Sequence, residues 1–114
     1  MSKWIINSIL SEEGRTLIKV ELKEPINPID VIELNKNVEE RIKKLRNMDL
    51  VVLSGRLPIW AYASLTHKLS HLVKIVCIYD PKLNNKAVIV SSHSKAAREG
   101  EIIELSKEEI EHLL

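Results

Sequence analysis

The residues able to do chemistry in this chain fall into four short segments. Ser54-Gly55-Arg56 stands between an apolar run, Val51-Val52-Leu53, and Pro58. If the run is a strand and Pro58 opens a helix, the tripeptide is a strand-to-helix turn, where ligands collect in open α/β sheets. The helix N-terminus offers unpaired N–H groups and partial positive charge to a phosphate or carboxylate. Gly55 lets the backbone approach a ligand, Ser54 supplies a hydroxyl, and Arg56 can grip an oxyanion through two parallel hydrogen bonds. The same residues also suit a plain tight turn with a solvated arginine.

The second segment is the helix-like run from about Pro58 to His71. Trp60, Ser64, His67 and His71 step by 4, 3 and 4, so they share one helix face. His67 and His71 have the i, i+4 spacing of two metal ligands, a spacing that idle surface histidines share. Third, Asp80 closes the run "KIVCIYD", where it could serve as an oxygen ligand, a general base, or only the opener of an Asp-Pro turn. Fourth, His93 follows the run "KAVIVSS". If His93 and Asp80 converge at one sheet edge, three histidines and one aspartate make a donor set suited to Mn²⁺ or Zn²⁺. His112 lies outside this set. No P-loop, dinucleotide fingerprint, Cys-His zinc pattern or nucleophile elbow occurs.

The elements that must position these groups can be read from periodicity. "KWIINSIL" and "RTLIKVEL" predict two strands joined at "SEEG". Asn27 and Pro28 then suit the start of a helix, with Asp30 in its first turn. Val31, Leu34, Val38, Ile42 and Leu45 form its apolar face, running to about Arg46, and "EERIKKLR" its solvated face. "DLVVLSG" and "KIVCIYD" predict strands buried in a sheet interior. "PKLNNK" predicts a turn, with Asn84-Asn85 tolerant of left-handed backbone. "KAVIVSS" predicts a further strand, "IIEL" a short one, and "SKEEIEHLL" a helix capped by Ser106. The order is roughly ββαβαββ, an α/β fold with helices flanking a single mixed sheet.

A chain of 114 residues implies one domain, residues 1–114. Its 17 Lys and Arg against 16 Asp and Glu leave a formal charge of +1, so no global basic field exists to attract DNA or long RNA. An anion site must be local, or built by repeating one patch across an oligomer. Cys77 is the only cysteine and sits in the apolar "IVCIY", which excludes an internal disulfide and suits a buried thiol in a reducing cytoplasm. No run approaches the ~18 apolar residues of a membrane span, and the N-terminal apolar run is too short for a secretory signal.

Taken in order, "SGRLPIWAY", the His67-Lys68 pair with His71, "YDPKL", "AVIVSSHS" and "REGEII" resemble the Csx-three family of CRISPR-associated proteins, a class of ring nuclease. The clear match runs from about Val51 to Ile103. The resemblance implies a Rossmann-like domain diverged from the CARF domains and working as a homodimer. It implies cyclic tetra-adenylate as the bound second messenger, sandwiched between dimers in a tetramer or filament. It further implies Mn²⁺-dependent cleavage that ends type III CRISPR signalling. A sensor that binds the ring without turnover, or an Mn²⁺-dependent exoribonuclease acting on linear RNA, is the alternative. By the same resemblance Ser54, Gly55, Arg56, Pro58, Trp60 and Lys82 contact the ligand. His71 and Asp80 are catalytic, and His67, His71, Asp80 and His93 hold metal.

The chain departs from that family pattern at four places. Leu57 replaces a glycine, Lys82 an arginine, and Ser70-His71 a pair of adjacent histidines; the interval from His67 to Asp80 is also one residue longer. Arg56 and His67 are about 16 Å apart along the helix at ~1.5 Å rise per residue. One subunit can hardly bring both the Arg56 and the histidine ends to one phosphate. This spacing favours a site completed between copies.

Overall fold

The computed structural model describes residues 2–114, and its sheet is assembled in chain order. Trp4–Leu10 (β1) and Thr16–Leu22 (β2) pair antiparallel. Leu50–Ser54 (β3) adds parallel to β2, and Ile75–Asp80 (β4) adds parallel to β3. Lys86–Ser92 (β5) turns back antiparallel to β4, and Ile102–Ile103 (β6) closes the far edge. The result is a single mixed six-stranded sheet in an α/β fold, as the apolar periodicities predict. The expected "IIEL" strand is only two residues long.

Each parallel step needs a crossover, and a helix supplies it. Val31–Leu45 (α1) links β2 to β3, and Ile59–Ser70 (α2) links β3 to β4. Ahead of α1, Pro28–Asp30 forms a 3-10 turn in which the Asp30 carboxylate accepts the Asn27 N–H at 2.7 Å. α1 ends at Arg46, in left-handed backbone at φ 57°. Leu34, Val38 and Ile42 of α1 interleave with Ala61, Leu65 and Leu69 of α2 above Ile18, Val20, Val51, Leu53 and Val76. α1 and α2 therefore share one face of the sheet.

The other face has a smaller core of Leu17, Val52, Cys77, Tyr79, Ala87, Ile89 and Leu113. Burial pushes the Cys77 thiol up to about 12, so it is an inert packing group there. The helix over this face is Lys107–Leu113 (α3), which begins at the expected cap: Ser106 Oγ accepts the Glu109 N–H at 3.1 Å. Glu109 is fully buried but satisfied by Arg15 at 2.8 Å and Ser11 at 2.9 Å. Those bonds fix the first turn of α3 to the lower end of β2 and send its last turn toward the C-terminal end of β3.

Candidate functional site

Because β2, β3 and β4 run parallel, their C-terminal ends lie at one edge of the sheet. Lys19 pairs with Ser54 across β2 and β3, and Asp80 closes β4 at the same edge. A cleft of about 530 Å³ opens there, lined by Lys19, Glu21, Ser54, Gly55, Arg56, Tyr62, Tyr79 and Pro81 among others. Two cations face it, while Lys19 also meets Glu21 at 3.3 Å.

The backbone of Gly55 explains why glycine stands in this turn. Its φ is +140°, and a Cβ would run into the carbonyl oxygen of Val20. The loop thus passes tight against β2, and its carbonyl is clamped by the Tyr62 hydroxyl at 2.5 Å. Burial pushes the Tyr62 hydroxyl up to about 12, which keeps it a donor. Leu57, which stands for a glycine of the family pattern, instead packs on the helical core and needs no special backbone. Pro58 is the residue before α2 rather than its first; no side chain caps the helix, so its first amides are open to a ligand. Trp60 leaves 41% of its surface exposed beside that first turn.

Not every polar group at this end of the sheet is free. The Ser54 hydroxyl is buried and donates to the carbonyl oxygen of Leu113. Lys19 Nζ donates to the main-chain oxygen of Leu114 at 2.7 Å. Asp80 Oδ1 accepts the Lys82 N–H at 2.9 Å, so Asp80 caps the 3-10 turn Pro81–Leu83 in which Lys82 lies exposed. Burial, and secondly the negative charge of Asp80, raises the neighbouring Tyr79 hydroxyl.

The histidines sit at the opposite end. His67 and His71 have ring centroids 5.0 Å apart, edge to face, at the last turn of α2. His93 joins them: its Nε2 lies 2.8 Å from the Ser70 carbonyl oxygen and its N–H donates to Lys74 at 2.8 Å. Here the structure corrects the expectation that His93 and Asp80 converge. β5 runs antiparallel to β4, with Asp80 opposite Lys86 and Ile75 opposite Ser92. The length of β4, about 17 Å at ~3.3 Å per residue, therefore separates Asp80 from His93. The set His67, His71, Asp80 and His93 does not assemble on one chain. Among the described residues no group of three or more His, Cys, Asp and Glu is gathered to hold a metal ion.

Lys19, Tyr62 and the end of α3 were not evident as site elements from sequence. Tyr62 has a faint signal, its place in the first turn of the helix that follows Gly55. Lys19 has none, because its pairing with Ser54 spans two elements.

The sequence matches known proteins over most of its length. A family model described as CRISPR-associated protein (Cas_csx3) matches residues 19–104. An uncharacterized protein of Aquifex aeolicus (strain VF5) is 37% identical over 101 residues, covering 89% of this chain and 86% of that protein.

Proposed function

Because the chain belongs to the Cas_csx3 family of CRISPR-associated proteins, we propose that it is a ring nuclease for cyclic tetra-adenylate. It binds the ring at the Arg56 edge of the sheet and cleaves it where the histidine end of another copy meets that ring. Loss of the ring switches off type III CRISPR antiviral signalling.

The observation that carries this reading is the placement of anion-binding groups and histidines at opposite ends of α2. A two-fold homodimer presents two Arg56 side chains and two α2 N-termini to one ring of matching symmetry. That repetition lets a nearly neutral chain hold four phosphates, each Arg56 making charge-assisted bonds. The exposed Trp60 indole offers an adenine a stacking surface. Across the ring, His71 of a second dimer is the group placed to act as general acid or base.

One chain does not provide a site for Mn²⁺: Asp80 lies at the other end of β4 from His93, and His67, His71 and His93 are not gathered into a ligand group by themselves. The proposed Mn²⁺ requirement therefore belongs to the stacked assembly, a tetramer or filament of dimers, where Asp80 of one copy faces the histidines of another. The separation of the two ends also supports a second reading, a sensor that holds the ring without turnover.

Incubation of purified protein with cyclic tetra-adenylate and Mn²⁺ separates these readings. Linear products above a His71→Ala control are expected. Tight binding lost in Arg56→Ala, with no turnover, would select the sensor. Preferential degradation of a linear adenosine-rich competitor would select the exoribonuclease.

A further inference from the structure

We propose that the last turn of α3 is a built-in plug of the anion cleft, which the ligand must displace. This inference rests on the reading of that cleft as the cyclic tetra-adenylate site. Two of its polar donors, the Ser54 hydroxyl and the Lys19 ammonium, are engaged by main-chain oxygens of Leu113 and Leu114. Both residues also line the cleft. Those oxygens offer the donors what phosphate oxygens would: lone pairs with partial negative charge, here at the negative end of a helix. A phosphate cannot take the same donors while they stay, and the helix end repels it.

The plug is seated asymmetrically. The first turn of α3 is held by the buried Glu109 through Arg15 and Ser11. The last turn is held by the Leu113 side chain, buried in the smaller core, and by the two donors themselves. His112 adds a contact of 3.3 Å to the Asn7 carbonyl oxygen. The Glu109 anchor lies one helical turn from the plug, so the last turn can leave while the first stays docked. Arg56 lines the cleft and has no bond to α3. It gives an arriving phosphate its first hold, and Lys19 and Ser54 are handed over as the turn lifts. The cleft-competent state is then a fraction of the population, and apparent affinity is reduced by that fraction.

Isothermal titration of cyclic tetra-adenylate into the full chain and into Leu113→Ala tests this. The variant loosens the plug while leaving Ser54, Lys19 and Arg56 in place, and binding about tenfold tighter is expected. Equal or weaker binding by a folded variant overturns the plug while leaving the cleft reading intact. Binding by neither protein overturns both. Because Leu113 is buried and its truncation also costs stability, hydrogen exchange on the unmodified chain gives a second readout. Amides of Ile110 to Leu114 should exchange faster with the ring bound. Unchanged or slower exchange at saturating ring overturns the plug.

Discussion

His93 Nε2 lies 2.8 Å from the carbonyl oxygen of Ser70, and this contact locks the ring to the last turn of α2. A carbonyl only accepts, so Nε2 carries the proton and Nδ1 is the nitrogen left for other work. His93→Ala should lower stability by about 1 kcal/mol, the ordinary worth of one such bond, in urea unfolding. Its effect on stability should add to that of any change at Arg56, since His93 lies at the far end of β4 from Arg56 on the same chain. A coupling well above about 0.5 kcal/mol in the double variant would contradict that separation.

Gly55→Ala should be far more damaging than its size suggests. Its backbone at φ +140° costs an alanine about 1–3 kcal/mol. The added methyl also runs into the Val20 carbonyl oxygen, so β2 and the loop must part. A fall in thermal midpoint together with lost ring binding is expected; an unchanged midpoint would show that the loop has room to move. Leu57→Gly, by contrast, should leave the loop conformation in place and loosen only the helical core.

Arg56→Ala should weaken ring binding about tenfold to a hundredfold, the range for losing a charge-assisted contact, without shifting the thermal midpoint. His71→Ala should keep binding and lose cleavage. Mixing the two inactive proteins should restore cleavage, because each supplies the end that the other lacks. Persistent inactivity of a mixture that still assembles would place both groups of a working site on one copy.

Acid should expose the role of the turn ahead of α1. The Asn27 N–H and then the Lys3 ammonium, 2.9 Å away, hold the Asp30 carboxyl below its ordinary value of 3.8. Folded protein therefore binds this proton more weakly than unfolded chain. The stabilisation is complete above pH 3.8 and is lost as pH falls through the lower folded value. Asp30→Asn should thus be less stable than the parent at neutral pH, with the gap closing in acid. A gap that stays constant from neutral pH to below 3.8 in denaturant titrations would refute this assignment.

Local signals were legible where one stretch of chain decides its own conformation. The steps from Val31 to Leu45 marked the apolar face of α1, and Asn84 and Asn85 do adopt left-handed backbone, at φ 54° and 57°. Ser106 and Glu109 announced the start of α3 from four residues. Strand direction was legible too, but only if used: a connection as short as "PKLNN" forces an antiparallel return. That return carries His93 away from Asp80. Where two distant segments meet, the sequence is silent. Lys19 beside Ser54, or Leu113 beneath that serine, depends on register and on which face a late helix covers. No periodicity encodes either.

The unbroken order from β1 to β6 has a kinetic consequence. Every strand pairs with the one made just before it, so no strand pairing reaches past a single helix crossover and the sheet can lengthen as the chain emerges from the ribosome. The two parallel pairings are the slower ones, because each must wait for its crossover helix. The exception is α3, whose Glu109 must travel back to Arg15. Its docking is the long-range closure, the step at which a newly made chain seals its second core.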